Sequence, residues 1–429
     1  MGDIDNDGCL DVYLSNRIGN TAITNYLFKN NCDGTFSEIT NTIGLINGPA
    51  LTFCSGFFDF NNDGWQDLYV ANDKFKPNYL YKNNGDGTFT DVSESSGTNI
   101  IMDAMSVTID DFNADGYLDI YITNTPGGIS TPDPGCVLFK NNGDETFTNV
   151  ALSSGTHLDS FTWGSSFLDA DNDGDLDLYV NSEYSGQNTF PTYGFFETNG
   201  DETFSDSGNY GFLSNAYNSY SSAVGDFDNN GTLEILVNND SNQFPSFWEN
   251  TEVSSRNYLL VSLEGTTSNR DGIGSMIEIS VGGNKQYRYV MSGEGYLSQN
   301  MLTEHFGIGN ANVIDYVKVK WLSGIEDIIY NVLPNQMLTV VEGSVLSTDD
   351  VSPNNQLRSF PNPVSGYLTI RAHNNINSVT IYDVFGRIVL SHHVFNSFVE
   401  VNLASIRSGT YFAKVDFAET TSSFRFIKK

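Results

Sequence analysis

The stretch DADNDGDLD, residues 169–177, is one of five related copies in this chain of 429 residues. The others are DIDNDGCLD at 3–11, DFNNDGWQD at 59–67, DFNADGYLD at 111–119 and DFDNNGTLE at 226–234. Their starts lie 56, 52, 58 and 57 residues apart. A period of this length predicts a fold built from repeated structural units. In chain order the copies are called loops 1 to 5.

Each loop has oxygen-bearing side chains at positions 1, 3, 5 and 9 and a glycine at position 6. A tight turn with this spacing can wrap one hard cation, and a backbone carbonyl at position 7 can add a ligand. Six to eight oxygens at about 2.3–2.6 Å suit Ca²⁺ better than Mg²⁺. One copy alone could be an ordinary Asp/Asn/Gly turn, but five copies in phase favour calcium loops.

The sequence therefore predicts about five Ca²⁺ sites. Loops 1 and 4 carry four carboxylates each and are expected to bind most tightly, with loop 5 among the weakest. The predicted ligands are Asp3, Asp5, Asp7, Asp11, Asp59, Asn61, Asp63, Asp67, Asp111, Asn113, Asp115, Asp119, Asp169, Asp171, Asp173, Asp177, Asp226, Asp228, Asn230 and Glu234.

The flanks of the loops indicate strands rather than the helices of an EF-hand. An EF-hand has a bidentate glutamate at position 12, where these copies have only Leu, Val or Ile. The flanks are rich in β-branched and aromatic residues, such as DLYVA at 67–71. A second motif, NGDGTF at 84–89, recurs at 31–36, 142–147 and 199–204 and is typical of a hairpin turn. Each unit is thus predicted to have four antiparallel strands, A to D, with the loop between A and B and this C–D turn between C and D.

Four-stranded units repeated radially predict an all-β fold with a calcium-binding β-propeller, of which five repeats are visible. These units are similar to the FG-GAP and VCBS repeats of integrin-α-like propellers, over residues 1–251. The resemblance implies calcium in the A–B hairpins and a ring of seven blades. The first unit begins without a strand A. We therefore expect that the N-terminus is incomplete and that further blades and a signal peptide precede this sequence in the full protein.

Residues 252–343 alternate between strand-like and Gly-rich segments and are predicted to form a second small β domain. The motifs RNYLLVSLEG at 256–265, SGEGYLSQ at 292–299 and VKVKWLSG at 317–324 resemble the ASPIC/UnbV domain found after FG-GAP repeats in the cartilage acidic protein family. His305, Arg270 and Asp271 either form a polar site or simply order turns, and the second interpretation is favoured.

A polar linker at 344–356 precedes a last segment at 357–429 with the motifs FPNP at 360–363 and VTIYDVFGR at 379–387. This segment resembles the type A C-terminal sorting domain of the type IX secretion system of Bacteroidetes, an Ig-like β-sandwich. The resemblance implies export, contact with the type IX machinery, display at the cell surface and removal of this domain. An unrelated Ig-like domain is the alternative.

The charge of the chain is concentrated in the repeats. The net charge is −33, from 53 acidic and 20 basic residues, and residues 1–250 contain 37 of the acidic and 6 of the basic ones. Such a surface repels nucleic acid and anionic membranes, and no apolar run is long enough to span a membrane. Export allows a disulfide between Cys9 and Cys32, which lie on turns of the same face.

The sequence shows none of the common catalytic motifs, so we expect no enzymatic activity. The B–C connections differ in length and sequence between repeats, whereas the loops and C–D turns recur. Variable connections on a rigid scaffold are the usual place for binding. The interpretation is a cell-surface adhesion protein that binds a protein or glycan through Phe75, Tyr184, Phe190, Tyr193 and Phe244. A polysaccharide lyase or hydrolase on a propeller scaffold is the alternative.

Overall fold

The structure is a computed structural model. It describes residues 1–429 except 46–47, 126–133, 184–192, 207–211, 213–216, 252–255, 345–357, 361, 384–385 and 418–420, and except the side chains at 358 and 373. The chain divides into two compact units, Met1–Val345 and Leu346–Lys429. Strands dominate both, and the one helix among the described residues, α1 (Ala151–Ser154), has a single turn. The all-β prediction is confirmed.

The five repeats form five antiparallel sheets, called blades 1 to 5. Blade 1 has β1 (Val12–Leu14), β2 (Tyr26–Asn30) and β3 (Phe36–Glu38). Blade 2 has β4 (Thr52–Phe58), β5 (Asp67–Asn72), β6 (Tyr79–Asn83) and β7 (Phe89–Asp91). Blade 3 has β8 (Ala104–Asp110), β9 (Asp119–Asn124), β10 (Val137–Asn141) and β11 (Phe147–Asn149). Blade 4 has β12 (Thr162–Leu168), β13 (Asp177–Ser182), β14 (Tyr193–Thr198) and β15 (Phe204–Asp206). Blade 5 has β16 (Ser219–Gly225), β17 (Glu234–Asn239) and β18 (Ser246–Trp248).

The blades are arranged like those of a propeller. The A strands of successive blades adjoin: β4 contacts β8, β8 contacts β12, and β12 contacts β16. Strands β5, β9 and β13 are buried along their whole length, because each blade is covered by a neighbour on both faces. Apolar side chains such as Phe60, Ile120 and Phe147 fill the space between blades 2 and 3. As expected, the described part of blade 1 has no strand A.

The second module belongs to the same compact unit as the propeller. One sheet contains β19 (Tyr258–Glu264), β22 (Glu304–Gly307) and β25 (Met337–Val341). The other contains β20 (Met276–Val281), β21 (Asn284–Tyr289), β23 (Ile314–Lys320) and β24 (Glu326–Val332). Trp321 is fully buried between them, and its Nε1 donates to Asp327 Oδ2 at 2.9 Å.

The segment 292–301 of this module runs along the inner strands of the propeller. Cys54 Sγ on β4 donates to the carbonyl of Gly295 at 3.3 Å, and Gly295 also forms a β-bridge with Val107 on β8. Met301 N donates to the carbonyl of Val224 on β16 at 3.1 Å. The second module therefore contributes side chains to the centre of the propeller.

The second unit contains β26 (Arg358–Phe360), β27 (Tyr367–Asp383), β28 (Ile388–Asn402), β29 (Gly409–Asp416) and β30 (Thr421–Lys428). Its described strands form one continuous sheet, with β28 paired to β27. Leu368 and Ile370 in the first half of β27 and Val379 and Ile381 in the second half belong to the same core. The inward-facing positions change from even to odd where register shifts interrupt the β27–β28 pairing. The expected sandwich thus takes the form of a long, bent sheet over one core.

Candidate functional site

The first residue of each loop holds the loop in shape. Asp59 Oδ1 accepts a hydrogen bond from the backbone N–H of Asp63 at 3.0 Å, and its Oδ2 accepts one from Gly64 at 2.7 Å. The same pair of bonds occurs in all five loops. Gly64 has φ +88°, a left-handed conformation that favours glycine, which explains the glycine at position 6.

The residue at position 9 joins the loop to its own blade. Asp67 Oδ2 accepts from Phe60 N at 3.1 Å, and its Oδ1 accepts from Asn83 N at 2.7 Å. Loops 1, 3 and 4 repeat both bonds, and in loop 5 Glu234 accepts from Phe227 N at 2.9 Å. Hydrogen bonds thus hold the carboxylate at position 1 to the loop and the carboxylate at position 9 to the blade, and positions 1 and 9 lie within 4.8 Å of each other in loops 1 and 5.

Three loops bring three acidic side chains within metal-binding reach, because one oxygen of each lies within 4.8 Å of the others. These sets are Asp3, Asp5 and Asp11; Asp169, Asp171 and Asp173; and Asp226, Asp228 and Glu234. In loops 2 and 3 an asparagine occupies position 3, and its amide donates to the position 5 carboxylate at 2.9 Å. Loop 4 also lies beside Arg256, whose Nη1 is 2.5 Å from Asp171 Oδ2.

The chemistry of these residues fits a divalent cation. Asp5 Oδ1 is buried and has no hydrogen-bond partner among the described residues, so a lone pair is left for a ligand. Burial, together with the neighbouring carboxylates, raises the pKa of Asp11 and Asp59 to about 6 and that of Asp111 and Asp169 to about 7. A bound cation would favour the ionised carboxylates and offset this cost.

Asparagine side chains connect the loops of neighbouring blades. Asn6 at position 4 of loop 1 donates to the carbonyl of Gly64 in loop 2 at 3.0 Å, and Asn62 and Asn172 make the equivalent bonds to the next loops. Loop 3 has Ala114 at this position. The sequence analysis missed these connections, although the recurring Asn at position 4 was the signal for them.

The predicted disulfide is confirmed. Cys9 and Cys32 are bonded, with their Cα atoms 5.7 Å apart. They join position 7 of loop 1 to the second residue of the C–D turn. The same two positions touch in blades 2 and 3, where a Cβ added to Gly85 would lie 2.8 Å from Trp65 and one added to Gly143 would lie 2.9 Å from Tyr117.

The second module supports loops 4 and 5. Gly307 N donates to Asp169 Oδ2 at 3.0 Å, and His305 Nε2 lies 3.1 Å from the carbonyl of Gly231. Burial lowers the pKa of His305 to about 4, so its ring is neutral at pH 7. Arg270 and Asp271 are exposed in a turn. The alternative of a joint polar site of these three residues is therefore wrong, because His305 is buried against loop 5.

The five aromatic residues predicted for the B–C face have different surroundings. Phe75 and Phe244 are 64% and 82% exposed, as the prediction requires. Tyr193 must be corrected: it is 8% exposed, packs against Tyr179, Phe212 and Trp248, and its hydroxyl accepts from Ser219 Oγ at 3.0 Å. Tyr184 and Phe190 lie outside the described residues.

A cluster of aromatic rings lies at the B–C end of the inner strands. Trp163 and Tyr220 are the second residues of β12 and β16, and their ring centroids are 5.0 Å apart. The ring of Tyr296, from the second module, lies 5.2 Å from Trp163. These residues line an open pocket of about 420 Å³ together with Ser221, Asn238 and Leu297. We call it the aromatic pocket.

The polar groups of the aromatic pocket are arranged for hydrogen bonding. Burial raises the pKa values of Tyr220 and Tyr296, so both hydroxyls stay protonated at pH 7. Trp163 Nε1 donates to Glu183 Oε1 at 2.8 Å, which fixes the indole plane. The sequence analysis missed this pocket, because Tyr296 reaches it from another module; the recurring large side chain at the second position of strand A was the available signal.

Three family models match the chain. One described as FG-GAP-like repeat matches residues 59–122, one described as ASPIC and UnbV matches 265–347, and one described as Secretion system C-terminal sorting domain matches 358–429. No helix among the described residues is long and apolar enough to cross a membrane.

Two curated relatives have the same name. The chain is 26% identical to Cartilage acidic protein 1 of Xenopus tropicalis over 299 residues, which cover 67% of this chain and 43% of that protein. It is 25% identical to the Homo sapiens protein of that name over 313 residues, which cover 71% of this chain and 44% of the relative. The chain therefore spans less than half the length of these relatives.

Two solved structures show a weak likeness that does not bear on fold or function. PorZ, a surface component of the type-IX secretion system of Porphyromonas gingivalis, has a TM-score of 0.31 at 13% identity, over 98% of this chain and 58% of that one. A lectin of Agrocybe aegerita that recognises terminal N-acetylglucosamine has a TM-score of 0.28 at 12% identity, over 97% and 85%. The chain thus contains segments that match an FG-GAP-like repeat, an ASPIC and UnbV module and a C-terminal sorting domain, and the sorting domain indicates a secreted or cell-surface protein.

Proposed function

We propose that this protein binds an extracellular glycan in the aromatic pocket at the B–C end of its propeller. The observation that carries the proposal is the convergence of Trp163, Tyr220 and Tyr296 on one open pocket of about 420 Å³. This volume lies in the range of small-molecule sites. Aromatic rings pack against the apolar faces of sugar rings, while the tyrosine hydroxyls, Ser221 and Asn238 are suited to sugar hydroxyls.

Calcium is the proposed structural cofactor. Loops 1 to 5 would each hold one Ca²⁺ through the side chains at positions 1, 3, 5 and 9, and the ion would neutralise the carboxylates that the fold brings together. The loops lie at the opposite ends of the blades from the aromatic pocket, because strand A runs from the pocket into the loop. Calcium is therefore proposed to stabilise the propeller and not to contact the glycan.

The proposed route is export by the type IX machinery of a Bacteroidetes-type bacterium, followed by removal of the sorting domain and retention at the cell surface. In this setting the pocket serves adhesion. Of the three family models that match, one is named for a repeat and one for a C-terminal sorting domain of a secretion system, in line with an exported binding protein.

A glycan array with the full chain tests the proposal, followed by analysis of the recovered glycans for cleavage. Trp163→Ala and Tyr296→Ala should each lower the affinity for the best array ligand at least tenfold. Phe244→Ala removes an aromatic ring that is 82% exposed on the same face and does not line the pocket. The sequence predicts a ligand contact for Phe244, whereas the pocket proposal expects this variant to bind normally, so it is the control. Melting curves check that each variant is folded.

Equal loss of binding in the Phe244 control, or no loss in the two pocket variants, would place the ligand elsewhere. Shortened glycans after incubation would favour the alternative of a glycan-active enzyme.

A further inference from the structure

The ring of Trp163 meets the other two rings of the aromatic pocket at steep angles. Its plane is inclined by 85° to the ring of Tyr220 and by 61° to the ring of Tyr296. All three side chains are partly exposed, and all three line the same open pocket. One flat face would be enough to stack a neutral sugar, whereas rings set at steep angles around one space resemble the aromatic cages that bind ammonium groups.

The charges around the pocket also favour a cation. No lysine or arginine occurs in the sequence between Lys140 and Arg256, a stretch that includes all of blades 4 and 5. The B–C connections of these two blades contain Glu183 and Asp240 instead. Both carboxylates act on the pocket, because they add to the effect of burial in raising the pKa of the Tyr220 hydroxyl. A positively charged ligand is therefore attracted to the pocket, and a negatively charged one is repelled.

Glu183 acts most directly on the ring of Trp163. Its Oε1 accepts the hydrogen bond from Trp163 Nε1 at 2.8 Å. A carboxylate bonded to the indole N–H polarises the ring, because the bond is charge-assisted. The electron-rich face of the indole, which is the best of the aromatic faces for binding a cation, becomes more attractive to a positive charge.

A neighbouring ring already binds a cation of the protein itself. The guanidinium carbon of Arg17 lies 3.8 Å from the ring centroid of Phe53, and this ring lies 5.9 Å from Tyr296 and 6.3 Å from Trp163. Arg17 is also paired with the buried Asp73 at 2.5 Å, so its charge is compensated. In the part of the chain that the structure describes, no lysine or arginine lies over the rings of Trp163 and Tyr296, which leaves these rings to a ligand.

We propose that the glycan bound in the aromatic pocket is an amino sugar, whose protonated, unacetylated amine lies among the rings of Trp163, Tyr220 and Tyr296. The proposal rests on the glycan site proposed above and names the substrate class of that site. The apolar face of the sugar packs on one of the rings, and its hydroxyls meet Ser221 and Asn238. An N-acetyl group on the amine removes the charge that the cage selects, so the acetylated sugar binds less tightly.

Three tetrasaccharides with the same β-1,4 linkage test the proposal. They are the tetramers of glucosamine, of N-acetylglucosamine and of glucose, and only the first is cationic. Calorimetry with the full chain at saturating Ca²⁺, at which the loops do not attract the amines, gives the three affinities. The glucosamine tetramer should bind about tenfold more tightly than either neutral tetramer.

Variants separate the pocket from the acidic surface as a whole, which also attracts a cationic glycan. Trp163→Ala should abolish the preference for the glucosamine tetramer. Glu183→Gln keeps an acceptor for the indole N–H but removes the charge, and should lower the preference to about threefold or less. Glu249→Gln, which removes an exposed carboxylate beyond the other end of strand C in blade 5, is the matched control and should leave the preference unchanged. Melting curves check that each variant is folded.

A preference that survives Trp163→Ala, or that is the same in the Glu183 and Glu249 variants, would show attraction to the surface in general and overturn the proposal. If the pocket binds a neutral glycan at least as tightly as the glucosamine tetramer, the glycan site stands and only its preference for an amine is refuted. If no glycan binds in the pocket, the proposed function fails and the preference falls with it. Binding of choline without binding of the glucosamine tetramer would assign the cage to a ligand that is not a glycan, and would also overturn both proposals.

Discussion

The side chain of Asn141 in blade 3 donates a hydrogen bond to the backbone carbonyl of Phe60 in loop 2 of the preceding blade, at 2.8 Å. Asn83 and Asn250 make the equivalent bonds to Ile4 and Ala170 at 2.8 and 2.7 Å. These asparagines close the YLFKN-type motif of strand C. The motif therefore ties blades 2, 3 and 5 to the position 2 carbonyl of the loop before them, whereas blade 4 has Thr198 at this position and Asn30 of blade 1 donates to Leu10 O in its own loop.

Replacing this asparagine should loosen the contact between blades 2 and 3. Asn141 is buried and its amide also donates to Leu118 O at 3.2 Å, so Asn141→Ala leaves two buried carbonyls without this donor. We expect a loss of about 1–3 kcal/mol in the free energy of unfolding, measured by urea denaturation. The exposed neighbour Asn142→Ala is the control, and an equal loss there would contradict a specific role for Asn141.

The Cys9–Cys32 disulfide should stabilise blade 1. It closes a loop with a sequence separation of 23 residues, for which chain entropy predicts about 3 kcal/mol. The double variant Cys9→Ser, Cys32→Ser should therefore unfold at a lower urea concentration than the oxidised protein. Cys136→Ser replaces a buried cysteine that forms no disulfide. This variant is the control for the effect of a Cys-to-Ser replacement without loss of a disulfide. Alkylation of both Cys9 and Cys32 in the folded, secreted protein would exclude the bond.

Glu294, in the segment along the inner strands, should make stability depend on pH. Burial and the charge of Asp110 raise its pKa from 4.5 to about 8, against a hydrogen bond from Asn300. Between these two pKa values the carboxyl of Glu294 holds a proton in the folded state that it has lost in the unfolded state. The contribution of Glu294 to the free energy of unfolding is therefore most favourable below pH 4.5 and falls as the pH rises to 8. Glu294→Gln should remove this component and raise the melting temperature at pH 8 by several degrees, measured at saturating Ca²⁺. A variant with an unchanged pH profile would show that Glu294 does not titrate in this window.

The C-terminal unit should be dispensable for the fold of the rest. It has its own core, formed by residues such as Leu368, Val379 and Phe426. Ending the chain near residue 350 should leave the melting temperature of the remaining protein within about 2 °C of the full chain, measured by calorimetry. A drop of many degrees would show that the two units stabilise one another.

The repeated features could be predicted from the sequence, because they depend on residues that are close together in the chain and recur at a fixed period. The positions of Asp59 and Asp67, the strands that flank them and the disulfide all follow from residues close in the chain or in equivalent turns. The contacts between the propeller and the second module could not be predicted from the sequence. Tyr296 in the aromatic pocket and Gly307 on loop 4 come from the second module, and no local pattern indicates how it packs. Tyr193 was misplaced because an aromatic residue at a loop boundary can begin a buried strand as readily as it can face solvent.

Removal of calcium tests the central claim most directly. At millimolar Ca²⁺ and affinities of about 10⁻⁴ to 10⁻³ M, each loop contributes roughly 0.4–1.4 kcal/mol, and five loops contribute about 2–7 kcal/mol. We predict that EDTA lowers the melting temperature of the Met1–Val345 unit by about 3–10 °C, that added Ca²⁺ restores it, and that Asp173→Ala reproduces part of the loss. A melting curve that is the same in EDTA and in Ca²⁺, with no ion bound by calorimetry, would contradict the account and leave the five loops as ordinary turns.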